Sequence, residues 1–249
     1  MNLPDKLMLE YRRWLDHAVL DQEVSRELEQ MEGDDEAIAD AFYKNLQFGT
    51  GGLRGVIGAG TNRMNIYTIA RATQGLANYL IKHFRQRERS VAIGFDSRVN
   101  SELFARTASD VLAANRFKVF LFPELMPTPC LSFAVRKLKC AAGIMVTASH
   151  NPAEYNGYKV YGQDGGQITD GAASEIWNEI EALDILNGSK RSSFEEGVRN
   201  RAIQYISKPV VDAYMKSVKE LSLYDKKLNR DIKIVYSPLN GSGRKPVLR

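Results

Sequence analysis

Between residues 66 and 184, short apolar runs alternate with amphipathic stretches, and this alternation constrains the fold more than any other feature. The runs are "SVAIGFD" at 90–96, "KVFLF" at 118–122, "CAAGIMVTAS" at 140–149 and "YNGYKVYG" at 155–162. Between them, Ile66, Ile69, Thr73, Leu76, Ala77, Leu80 and Phe84 repeat at helical spacing behind Asn65, a good cap. Leu103, Phe104, Ala108, Val111 and Leu112 do the same over 101–115, and helices are also expected over 129–138 and 170–184. Strands separated by helices of this length predict an α/β chain: a layered mixed sheet flanked by helices, at least partly parallel. Sites in such sheets lie beyond the carboxyl ends of the strands. "GFDSR" (94–98) and "TASHNP" (147–152) fall there, which predicts one shared cleft.

The flanks read differently. Residues 5–32 have the periodicity of one helix, with Tyr11, Trp14, Val24 and Leu28 on its apolar face. Gly33 stops it, and Asp34 or Asp35 caps a second helix through Tyr43. "QFGTGGLRGVIGAGTNRMN" (47–65) carries five glycines between Gly49 and Gly58 and no period, so it reads as a loop. Residues 187–203 are polar and turn-rich and read as a linker or exposed loop. A helix over 208–223 and then "DIKIVYSPLNGSG" (231–243) read as the start of a second α/β domain. The expected division is 1–45 as a helical extension, 46–205 as the main domain, and 206–249 as the beginning of another, cut short at Arg249.

Charge narrows the ligand class. Residues 1–48 hold 12 acidic against 5 basic residues, a balance of −7, which leaves +11 on the rest of a chain whose net charge is +4. The basic residues are scattered, with no arginine-rich or aromatic-interleaved patch, so a phosphorylated small molecule is expected rather than nucleic acid. There is no run of eighteen apolar residues and no signal-peptide pattern, so no membrane association and a cytoplasmic location are expected. Cys130 and Cys140 lie in apolar surroundings without a CxxC spacing and read as buried free thiols. Oligomeric state is not legible.

Within "TASHNPAEYNG" (147–157), Ser149 beside His150 suggests a hydrolase, but the G-x-S-x-G elbow is absent. In an extended segment the two side chains point to opposite faces, and the other histidines, His17 and His83, fall on predicted helices. Asn151 and Pro152 also suit an ordinary turn. Local chemistry leaves carrier, nucleophile and turn open.

The surrounding set weighs toward the carrier. "FGTGGLRG" (48–55), "GFDSR" (94–98), "TASHNPAEYNGYK" (147–159) and "VYSPLNGSG" (235–243), in this order, resemble the phosphohexomutases, the family of phosphoglucomutases and phosphomannomutases, from about residue 45 onward. The acidic extension resembles the long-chain branch with phosphoglucomutases and phosphopentomutase-like enzymes. The resemblance implies that Ser149 carries a phosphoryl group, which it exchanges with a sugar phosphate through a sugar 1,6-bisphosphate. Arg54 matches the family's active-site arginine and Lys159 its lysine, a candidate for taking the hydroxyl proton or neutralising developing charge. His150 is carried over as a hydrogen bonder. Thr50, Gly51 and Gly52, whose glycines let backbone N–H groups approach a phosphate, join Asn151 and Arg98 as phosphate-binding candidates. Arg98 has a competing reading, fixing its loop through Asp96.

The family holds Mg2+ between the seryl phosphate and a D-x-D-x-D-R loop. From Tyr205 onward the chain offers only Asp212, Glu220, Asp225 and Asp231, in no such pattern, so Ser149 is the one metal contact implied here, through its phosphate. Asn240 stands where the family often has histidine. The resemblance thus implies a phosphohexomutase, most nearly a phosphoglucomutase, with this chain inactive by itself. Phosphopentomutase, phosphomannomutase and a non-catalytic phosphosugar-binding module are the alternatives.

Overall fold

The computed structural model describes residues 4–223 and 231–249. Its six-stranded sheet has the order β1-β5-β4-β2-β3-β6. The strands are β1 (Leu53–Val56), β2 (Ser90–Phe95), β3 (Lys118–Leu121), β4 (Ala142–Val146), β5 (Tyr155–Gly162) and β6 (Ile203–Tyr205). Four neighbouring strands, β4, β2, β3 and β6, run parallel, whereas β5 pairs antiparallel with β4 and β1 antiparallel with β5. The sheet is therefore mixed, as expected, and β2 and β4 are buried along nearly their whole length because helices cover both faces.

The long helix predicted behind Asn65 is α4 (Ile66–His83); Asn65 accepts from the N–H groups of Tyr67 and Thr68, and Thr68 Oγ1 accepts from Asn65 N, a complete capping box. With α5 (Ser101–Ala114), α7 (Asp170–Glu181) and α8 (Phe194–Arg199), it covers one face of the sheet, where Leu76, Phe104, Leu112 and Ile176 interlock with Ile93, Ile144 and Val160. The helices α6 (Thr128–Lys137) and α9 (Lys208–Glu220) cover the other face around Phe122, Leu131, Met145 and Val210. Cys130 and Cys140 are buried and unpaired as expected, and burial pushes both thiols up to about 11.

Four sequence expectations are corrected. The single helix over 5–32 is two, α1 (Asp5–His17) and α2 (Gln22–Gln30), because Asp21 caps a new start by accepting from Glu23 and Val24 N–H. With α3 (Asp35–Phe42) they bury Trp14 edge-to-face against Phe42 and Tyr67, at ring separations of 5.7 and 5.3 Å. The glycine-rich segment is not all loop: Leu53–Val56 pairs with β5 as the edge strand. The expected linker 187–203 contains α8 and leads into β6, which extends the parallel sheet. The strand expected in 231–243 does not form, and α9 packs on α6 with Phe133 and Tyr214 in edge contact.

Beneath the segment joining α7 to α8, Asp110 of α5 has a buried Oδ1 with no hydrogen-bond partner among the described residues. Burial first, and Glu195 second, push its carboxyl up to about 7, against the opposing charges of Arg191 and Arg106. A raised acid favours the folded state fully below the ordinary carboxylate range, and that contribution disappears as pH rises through about 7. Asp110→Asn is accordingly expected to be more stable than the parent at pH 8, by about 1 kcal/mol after allowing for solvent screening, with the gap closing toward pH 4. Urea unfolding at the two pH values checks this; a pH-independent difference contradicts it.

Candidate active site

The site begins where β2 and β4 end side by side. Phe95 is in register with Val146, and Asp96 N donates to the Val146 carbonyl at 3.2 Å, so "GFDSR" and "TASHNP" emerge together as expected. The chain then turns sharply. Ser149 lies in the left-handed region at φ 55°, its N–H donating to Thr147 Oγ1 at 3.0 Å, while Asn151 N donates to the Ala148 carbonyl. Ser149 is thus not in an extended segment, and the opposite-faces argument about Ser149 and His150 does not apply. Both side chains are exposed, and His150 makes no side-chain hydrogen bond among the described residues.

Arg98 shapes this turn. One of its terminal nitrogens donates to the Pro152 and Tyr155 carbonyls at 2.8 and 2.9 Å, and the other to those of Ser149 and Asn151 at 2.8 and 2.6 Å. Its Nε lies 3.8 Å from Asp96, whose Oδ1 accepts from Arg98 N and Ser101 Oγ. A guanidinium spent on four carbonyls has no fork left for a phosphate, so the geometry follows the loop-fixing reading of Arg98.

The cations come from the antiparallel edge. Lys159 on β5 donates from Nζ to Ser149 Oγ at 3.2 Å. Arg54 on β1 stands opposite Gly157, two residues from Lys159, so the two cations share a face as diagonal neighbours. Arg54 also donates to Asn151 Oδ1 at 3.0 Å. Partial burial, then the charge of Arg54, hold the Lys159 amine below the ordinary lysine range, with Asp96 opposing. On the other face Tyr158 is fully buried, its hydroxyl accepting from Thr73 of α4 at 3.1 Å, which anchors β5 beneath the site.

Gly52 begins this edge at φ +78°, and a Cβ there would overlap the Tyr158 carbonyl oxygen. Gly49 and Gly52 exchange backbone hydrogen bonds across Thr50 and exposed Gly51, and Gln167 donates to the Thr50 carbonyl at 2.7 Å. The glycine segment therefore forms a tight hairpin tip beside Lys159. Thr147 was missed by sequence reasoning; a hydroxyl two residues before a serine in a turn is the signal that would have found it.

A cleft of about 1000 Å³ opens on the other side of the serine turn, lined by Asp96, Ser97, Arg98, Thr147, Ser149 and Asn151 and walled by Pro238–Ser242. Ser97 Oγ donates to the Asn240 carbonyl, and Lys245 pairs with Glu124. Asn240 thus enters through its backbone. Arg54, Lys159 and His150 do not line this cleft; Ser149 stands between it and the cations. No cluster of three or more potential metal-ligating His, Cys, Asp or Glu occurs among the described residues.

Comparisons with known proteins agree with this layout. Residues 45–186, more than half of the chain, match the family model described as phosphoglucomutase/phosphomannomutase, alpha/beta/alpha domain I. The chain is 37% identical to a phosphoglucomutase of Staphylococcus saprophyticus over 201 residues, covering 81% of this chain and 36% of that protein. It is also 37% identical to a Staphylococcus aureus phosphoglucomutase over 226 residues, or 88% of this chain and 37% of the other. It therefore spans about a third of the length of the curated relatives it matches. Among solved structures, a Thermus thermophilus protein assigned as a phosphomannomutase superposes with a TM-score of 0.57 at 31% identity, over 71% of this chain and 36% of that one. The Paramecium phosphoprotein parafusin shares the fold alone, with a TM-score of 0.55 at 19% identity over 73% of this chain and 36% of its own. Motifs, sheet topology and these similarities converge: the chain belongs to the phosphoglucomutase/phosphomannomutase family.

Proposed function

We propose that Ser149 carries a phosphoryl group and that the chain is the serine-bearing part of a phosphohexomutase, most nearly a phosphoglucomutase, that interconverts a sugar 1-phosphate and 6-phosphate through a sugar 1,6-bisphosphate. The observation that carries this reading is the placement of Ser149 Oγ 3.2 Å from Lys159 Nζ, with Arg54 on the same sheet face. A phosphoserine repels an incoming oxygen nucleophile, and two fixed cations offset the charge on its non-bridging oxygens. In the forward step a sugar hydroxyl oxygen bonds to phosphorus as the bond to Ser149 Oγ breaks. Lys159 remains protonated as one of these cations, and the hydroxyl proton leaves to solvent as the new oxygen–phosphorus bond forms. The turned bisphosphate returns its other phosphoryl group to Ser149 by the reverse chemistry.

Magnesium is the ion this chemistry calls for, and a seryl phosphate would supply one hard oxygen ligand. The described residues contain no carboxylate cluster to complete its coordination, and no step is assigned to it. No helix among these residues is long and apolar enough to cross a membrane; we place the protein in the cytoplasm, acting on a phosphorylated sugar.

Incubation with glucose 1,6-bisphosphate is expected to add one phosphoryl group, found by peptide mass spectrometry on Ser149 and absent from Ser149→Ala. The cleft of about 1000 Å³ beside Ser149, which Arg54 and Lys159 do not line, favours a second reading, a binding module for phosphosugars without transfer. Saturable sugar-phosphate binding with Ser149 always unmodified would decide for that module.

A further inference from the structure

We propose that the cavity between the N-terminal helices and the α4–α7 pair is a binding site for a small phosphate-bearing anion, separate from the Ser149 site. The cavity measures about 350 Å³, the low end of the range for small-molecule sites. It lies where α1, the segment after α3, the middle of α4 and the end of α7 meet. Its charged lining consists of Lys6, Arg13, Lys44 and Arg71 against Glu10 and Asp184.

The two carboxylates are already committed. Asp184 pairs with Arg13 and accepts from the N–H groups of Leu186 and Asn187 at 3.1 and 2.9 Å. Glu10 accepts from Trp14 Nε1 at 3.1 Å and lies 3.6 Å from Arg13. Lys6, Lys44 and Arg71 have no carboxylate within ion-pair distance among the described residues. Arg71 is the informative one, being only 8% exposed. Its guanidinium donates only to backbone carbonyls, Ile180 at 3.0 Å and Glu181 at 3.5 Å, which leaves donors unused on a side chain that lines the cavity. Burial pulls Arg71 below the ordinary arginine range, in spite of the more distant Asp184, Glu181 and Glu10.

A buried cation without a counter-charge costs the fold free energy that an anion in the cavity recovers. The lining carries two more cations than carboxylates, which matches the roughly −1.5 to −2 charge of a phosphomonoester at neutral pH better than a monoanionic carboxylate. Arg71 provides a planar fork fixed by its backbone bonds, and Lys6 and Lys44 are exposed point charges at the mouth. Thr61, also on the lining, donates to the Lys44 carbonyl at 2.8 Å and fixes the segment that bears Lys44.

The test is a titration of the 249-residue protein, followed by amide and indole NMR shifts, with inorganic phosphate, glycerol 3-phosphate and, as the carboxylate control, acetate. Saturable shifts of the Trp14 indole N–H and of the Lys44, Asn45 and Thr61 amides are expected with the first two probes. Tighter binding of glycerol 3-phosphate than of phosphate identifies an ester as the occupant; the reverse identifies the free ion. The exposed double variant Lys6→Ala/Lys44→Ala is expected to weaken binding at least tenfold, and Arg71→Met to abolish it where the variant folds. Arg54→Ala should leave these shifts unchanged. Non-saturating shifts, an equal response to acetate, indifference to the double variant, or shifts confined to residues 147–151 would each overturn the proposal.

Discussion

Arg98→Met is expected to loosen the serine turn and to lower the unfolding free energy by about 3 kcal/mol. The guanidinium holds four backbone carbonyls, of Ser149, Asn151, Pro152 and Tyr155, within 2.9 Å. Hydrogen bonds to a charged group contribute roughly 1.5–3 kcal/mol each, but they are not additive, and water replaces part of what an exposed turn loses. The left-handed Ser149 adds to the effect, since a non-glycine residue at φ 55° holds that conformation only when its surroundings enforce it. Arg98→Lys should fail to rescue, because one ammonium cannot reach four carbonyls arranged for a planar fork. Urea unfolding measures the stability, and amide exchange over residues 149–155 measures the turn. A loss below about 0.5 kcal/mol, the scatter of ordinary surface substitutions, would show that the turn holds itself.

Gly52→Ala is expected to cost about 3 kcal/mol or more, and to detach β1 from β5. Its φ of +78° penalises any L side chain by roughly 1–2 kcal/mol. The larger part is steric, since the new Cβ would overlap the Tyr158 carbonyl oxygen, and Tyr158 is held from below by Thr73. The backbone of β1 must move, and Arg54 moves with it. Gly51→Ala is the control: nothing lies within 4 Å of a Cβ there and the left-handed penalty is absent, so it should be nearly neutral. Equal unfolding midpoints for the two variants would refute the close-approach account.

The sequence made the parallel centre of the fold legible because β2 and β4 are covered on both faces and read as unbroken apolar runs between strongly periodic helices. The edges were not legible for the same reason in reverse. β1 has four residues and β6 three, too short to show a period, and both are recognised only by the strands they pair with. The break between α1 and α2 was written in Asp21, but the hydrophobic period runs on across it, so period alone merged two helices. At the site, Ser149, Lys159 and Arg54 were found by motif, and the structure brings them together. The shape of the turn was not found, because it depends on Arg98, some fifty residues upstream, reaching backbone atoms that leave no trace in residue type.

β4 and β5 are one antiparallel hairpin, with Ser149 on its connection and Lys159 opposite Met145. Ser149 and the nearby Lys159 therefore lie on one segment of about twenty residues, rather than on distant parts of the chain. An insertion in the connection near Ala153 leaves the ladder in register, but it separates the Pro152 and Tyr155 carbonyls that Arg98 holds. One extra residue inside β5 ahead of Lys159 turns the amine to the opposite side of the sheet, among the core side chains.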